Sequence, residues 1–113
     1  MRIQEKARAV GFDWEKDEQV FEKVEEELHE FKVEVDKGDQ QKAEDEFGDL
    51  LFALVNYARF KNINPEEALE RTNKKFMFRF QKMEEAAMRE NKFLHDMTLQ
   101  EMDDLWNKIK TQQ

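Results

Sequence analysis

The residues best suited to chemistry in this chain are two acidic clusters, Glu25-Glu26-Glu27-Leu28-His29-Glu30 and Glu44-Asp45-Glu46-Phe47-Gly48-Asp49. Glu27 and Glu30 are three residues apart, as are Glu46 and Asp49. On a helix that spacing is about 60° around the axis, so each pair occupies one face. Both pairs lie beside an apolar stripe, where side chains point toward a neighbouring helix. Between the clusters, Lys37-Gly38-Asp39 reads as a break: Gly suits a C-terminal cap, and Asp39 can cap the following helix. The first pair lies about ten residues before this turn and the second about nine after it, so an antiparallel hairpin brings them to one level. Four carboxylates that close repel by on the order of several kcal/mol unless protons or cations neutralise them. An all-oxygen ligand set selects a hard divalent cation, Mg²⁺ first with Mn²⁺ as a substitute. Asp49 sits in an otherwise apolar run, where a charge needs a partner. The competing explanation is that Glu runs on helices are solvated faces, and Glu25 and Glu26 fit that description.

Arg71, Lys75 and Arg79 follow at i, i+4 and i+8 and form a basic face in an acidic protein. Arg offers forked hydrogen bonds and Lys a point charge, as a phosphate clamp requires. Surface pairing is the alternative, with Glu67 four residues before Arg71. Asn56 lies two turns beyond Asp49 on the same face and can read a base or sugar edge, or satisfy a buried backbone group. Trp106 falls on the inner stripe of the last helix, for core packing or for stacking on a nucleobase. Trp14 is expected to anchor the N-terminal segment. Glu26-x-x-His29 is half of a di-iron signature, but the other histidine, His95, has Lys92 three residues before it. His29 is therefore read as an exposed surface residue.

Four helices account for most of the chain. The first is predicted over about Asp17 to Asp36, with Phe21, Val24, Leu28, Phe31 and Val35 as a core-facing stripe. The second spans about Gln40 to Lys61 and is apolar nearly all round from Phe47 to Phe60, as expected of a central helix. Covering it fully in so small a protein calls for a second subunit. Asn64-Pro65-Glu66-Glu67 opens the third helix, which runs to about Asn91 with Leu69, Thr72, Phe76, Phe80, Met83 and Ala87 inward. Thr98-Leu99-Gln100-Glu101 is a capping box that opens a last helix through Met102, Leu105, Trp106 and Ile109. No strand-like alternation or repeat interrupts this pattern. The fold class is all-α.

A length of 113 residues fits one domain, residues 1–113. Charged residues reach 41%, yet ten Phe and two Trp argue against disorder. Three Gly and one Pro leave few turning points, hence long helices. The chain has no Cys, which rules out disulfides and thiolate metal sites and suits a reducing compartment. No apolar stretch approaches the roughly 20 residues of a membrane span, and the first residues lack a signal peptide's apolar run. A cytoplasmic protein without membrane association is expected. The net charge of −8 opposes nonspecific binding to nucleic-acid backbones.

These blocks, taken in order, resemble the MazG-type nucleoside triphosphate pyrophosphohydrolases of the all-α NTP pyrophosphatase group. The family pattern Glu-Glu-x-x-Glu is matched by Glu26, Glu27 and Glu30, and Glu-x-x-Asp on the next helix by Glu46 and Asp49. Three further segments are similar: Glu5 to Trp14, Glu70-Arg71-Thr72-Asn73-Lys74-Lys75-Phe76, and Leu99 to Trp106. The resemblance covers almost the whole chain. It implies a four-helix bundle-like fold completed by homodimerisation. It also implies Mg²⁺-dependent hydrolysis of nucleoside triphosphates to monophosphate and pyrophosphate, in house-cleaning of the nucleotide pool. Under it, Glu27, Glu30, Glu46 and Asp49 hold the metal, and Glu26 completes the catalytic set by orienting a ligand or water. Lys75, Arg79 and Trp106 then match nucleotide-contacting positions, with Arg71 and Asn56 as further substrate-binding candidates. Phe78 departs from the pattern, since many relatives carry a basic residue there. Many members hold two copies of the domain; this chain resembles the C-terminal copy and opens within a helix, as an excised half would, with a naturally short single-domain member as the alternative. The alternatives are a narrower dUTP or dCTP pyrophosphatase, and a non-catalytic helical nucleotide-binding or interaction module.

Overall fold

A computed structural model describes residues 2–11 and 17–112. It contains helices α1 (Arg2–Ala9), α2 (Asp17–Lys37), α3 (Gln40–Phe60), α4 (Pro65–Arg89) and α5 (Leu99–Gln112), with a 3₁₀ turn at Leu94–Asp96. No strand occurs among the described residues, so the all-α class holds. The four expected helices are present within two residues of their predicted ends, and α1 is the helix within which the chain was expected to open. Trp14 lies outside the described residues. Among those described, no helix is long and apolar enough to cross a membrane.

The helix boundaries have local causes. Gly38 takes φ +77°, a left-handed conformation that ends α2 without the steric penalty of a Cβ. Asp39 then caps α3, its carboxylate accepting from the Lys42 N–H at 3.0 Å. Pro65 is the first residue of α4, where its missing N–H is not needed. Asn91, at φ +56°, follows the end of that helix. The capping box at α5 is closed from both sides: the Glu101 N–H donates to Thr98 Oγ1, and the Thr98 N–H donates to Glu101 Oε1, each at 3.1 Å.

The chain divides into two compact units, Met1–Pro65 and Glu66–Gln113. In the first, α2 and α3 pack as an antiparallel hairpin around Val24, Leu50 and Ala53, with Phe31 and Tyr57 against them. Rings of the two helices interlock, Phe21 on Tyr57 and Phe31 on Phe47, each at 5.3 Å between centroids. In the second unit, Met83 and Ala87 of α4 and Ile109 of α5 are buried.

The expected core stripes are only partly covered. Phe21, Leu28 and Val35 are about half exposed, and the buried positions of α2 are Val20, Val24 and Glu27. Likewise α3 buries Ala43, Leu50 and Ala53 but exposes Phe47, Leu51, Phe52 and Leu54. On α4, Leu69, Phe76 and Phe80 are exposed where an inward position was expected. One neighbouring helix covers only part of an apolar arc wider than about 100°.

Candidate active site

The hairpin brings Glu46 and Asp49 to Glu27, while Glu30 groups with Glu26 and Glu27 on α2. One carboxylate oxygen from each of Glu26, Glu27 and Glu30 lies within 4.8 Å of the others, and so it is for Glu27, Glu46 and Asp49. Glu27 belongs to both triads. It is also the one buried charged residue among those described. Its Oε1 takes an ion pair from Lys23 Nζ at 2.9 Å, while its Oε2 is buried with no hydrogen-bond partner. Oε2 of Glu46 is buried and unpartnered in the same way. Leaving such oxygens unsatisfied costs about 1–3 kcal/mol each, and more for charged groups. Two orphaned oxygens within an oxygen-only donor set fit a hard divalent cation.

The electrostatics agree with crowding. Desolvation pushes the Glu30 carboxyl above its ordinary 4.5, and the neighbouring charges of Glu27, Glu46 and Glu26 push it further. Lys23 moves upward as well, chiefly through its hydrogen bond to Glu27. Asp49 is exposed rather than enclosed by the apolar run around it in the sequence. It stands at the rim, and the burial that demands a counter-charge falls on Glu27 and Glu46. Glu26 is exposed and 3.4 Å from Lys23 Nζ. His29 is exposed, as expected, and Asn56 is half-buried on α3.

The basic and aromatic candidates belong to the second unit. Arg71 and Lys75 are exposed along α4. The Arg79 guanidinium lies 5.7 Å from the centroid of the Trp106 ring, and Phe76 meets that ring at 5.3 Å. This stack joins α4 to α5 and fixes an aromatic face with a cation on it. At the departing position, Phe78 carries the Lys82 ammonium over its ring at 5.4 Å. Sequence reasoning missed Lys23. The signal was present as its spacing of three and four residues from Glu26 and Glu27.

Comparison with known proteins bears on this arrangement. Residues 15–83 match the MazG nucleotide pyrophosphohydrolase domain. The chain belongs to the MazG family. It is 47% identical over 109 residues to the nucleoside triphosphate pyrophosphohydrolase/pyrophosphatase MazG of Thermotoga maritima, covering 96% of this chain and 42% of that protein. It is 38% identical over 114 residues to the nucleoside triphosphate pyrophosphohydrolase of Escherichia coli K12, covering 99% of this chain and 43% of the relative. YabN of Bacillus subtilis is 60% identical over 65 residues, 58% of this chain and 13% of its own length. This MazG domain thus spans less than half the length of each of these relatives. The family match includes all four carboxylates of the hairpin together with Lys75 and Arg79, and stops short of Trp106.

Proposed function

We propose that this MazG domain hydrolyses nucleoside triphosphates to nucleoside monophosphate and pyrophosphate, with Mg²⁺ held by Glu27, Glu30, Glu46 and Asp49. The observation that supports it most directly is the pair of buried, unpartnered oxygens on Glu27 and Glu46 inside that cluster. When bound, Mg²⁺ supplies positive charge against the polyphosphate and makes water a better nucleophile; Mn²⁺ meets the same oxygen preference. Lys75 and Arg79 bind phosphate oxygens, and Arg71 extends their stripe by a turn. Trp106, held by Phe76 and Arg79, is the ring on which the base stacks. Asn56 reads a base or sugar edge, and Glu26 orients the water.

In the reaction, the oxygen of water bonds to the α-phosphorus while the bond from that phosphorus to the bridging oxygen breaks. The leaving oxygen departs in pyrophosphate, and a carboxylate of the cluster accepts the proton released by water. Positioning and charge neutralisation dominate such a transfer. A homodimer completes the fold in this reading. It is supported by the half-exposed Phe47, Leu51, Phe52 and Leu54 of α3, apolar surface that a soluble domain tends to cover.

The test is incubation of the protein with the eight common ribo- and deoxyribonucleoside triphosphates and Mg²⁺, assayed for monophosphate and pyrophosphate. Equal yields of the two products, abolished by chelation, are expected. Orthophosphate and nucleoside diphosphate as products would refute cleavage at the α-phosphorus.

A further inference from the structure

We infer that Lys23 is a built-in counter-ion of the carboxylate cluster, which an incoming divalent cation must displace, so that this ammonium lowers the cluster's metal affinity. The inference rests on the reading of the cluster as a metal centre. It starts from position. Lys23 Nζ lies 2.9 Å from Glu27 Oε1 and 3.4 Å from Glu26 Oε1. Glu27 is the member common to both triads, so the ammonium engages the carboxylate on which all the proposed donors converge.

Exposure gives the direction of movement. The Lys23 side chain is 38% exposed and that of Glu27 only 8%. The long lysine stem can withdraw its head into water while the carboxylate stays in place. Helix stability alone gives little reason for the pair, because Lys before Glu at i, i+4 is the weaker order. A monovalent cation beside Glu27 offsets like-charge repulsion while the cluster lacks metal. The same cation repels a divalent ion entering at the free Oε2, and that repulsion is larger in a partly desolvated cluster than in water. A lysine that merely braced Glu27 in its ligating pose would have the opposite effect, since its loss would weaken metal binding.

The experiment is calorimetric titration of the full chain with MgCl₂ in wild type, Lys23→Met and Lys23→Arg, with far-UV circular dichroism as the check on folding. Lys23→Met is expected to bind Mg²⁺ about tenfold more tightly, and Lys23→Arg to stay within about twofold of wild type. Equal or weaker binding by a folded Lys23→Met, with wild type binding normally, overturns the inference and leaves the metal centre standing. Absence of Mg²⁺ binding by wild type overturns both. A second readout needs no variant: acetylation of Lys23 by acetic anhydride, followed by mass spectrometry, should quicken about twofold or more when Mg²⁺ is added, as the side chain leaves its carboxylate partners for solvent and reacts as the free amine, releasing acetate. An unchanged rate overturns the displacement.

Discussion

The α2–α3 hairpin and the α4–α5 pair of this chain treat charge in opposite ways. Between α2 and α3, Glu27 is buried and Glu46 hides an unpartnered oxygen, and desolvation, then like charges, raise the proton affinity of Glu30. Between α4 and α5, charge is placed where helices welcome it. Glu101 closes a capping box, Glu70 pairs with Lys74 at 3.2 Å, and Arg79 spreads over Trp106. The second hairpin is locally consistent; the first is not, and its inconsistency is concentrated within two turns of each helix. Unrelieved polar burial of that kind marks the place where an external partner completes the structure.

The contrast can be broken most directly at Asp49. Asp49→Asn keeps the shape of the side chain and removes one negative donor from the cluster. Loss of a group that merely orients a ligand costs about 10–100-fold in metal affinity or activity, so pyrophosphate release should fall by more than about 100-fold with helicity unchanged. Normal turnover in a folded Asp49→Asn would remove the cluster from the mechanism. The division of labour between the hairpins is sharpened by Trp106→Ala. Loss of a base-stacking ring should raise KM about tenfold. Stabilisation by Mg²⁺ in a thermal melt should survive, because the proposed metal ligands belong to the other unit. Loss of that stabilisation would show that the two hairpins do not act separately.

The smallest effect is the most specific to the comparison. In chelator, the thermal stability of wild type is followed against pH beside Glu30→Gln and Glu101→Gln. Glu30 has its folded pKa raised, so it destabilises the fold while ionised. That penalty is present above the folded pKa and is relieved as pH falls through it toward the ordinary 4.5. Glu101 is lowered, first by its backbone hydrogen bond at Thr98, so its contribution is full above the ordinary 4.5 and is lost as pH falls through the folded value. Relative to its Gln variant, wild type should therefore gain at the first position on acidification and lose at the second. Parallel behaviour at both would erase the distinction.

Much of this was legible in the sequence because it is governed by local rules. Gly38, Asp39, Pro65 and the Thr98–Glu101 box each act within one helical turn, and their chemistry fixed the boundaries of α2 through α5. The meeting of the two acid pairs was legible too, since a two-residue turn between straight helices leaves no freedom in height. Burial was less so. Phe21, Leu28, Leu69 and Phe76 have core-like spacing and yet are exposed, because periodicity says which residues share a face, not whether another element covers it. Asp49 misled for a related reason: its neighbours in sequence are apolar, but it points to a rim. Lys23 was missed because an exposed lysine before a glutamate looks like ordinary surface pairing, until the glutamate proves to be buried. The stack of Arg79 on Trp106 depends on the approach of α5 to α4, which no single-helix pattern contains.

The connection at Gly38 and Asp39 donates nothing to a cation, yet it works as a ruler. Its two residues link α2 to α3 so briefly that Glu46 and Asp49 come level with Glu27. A longer loop would hand that alignment to the apolar contacts of Val24, Leu50 and Ala53 alone.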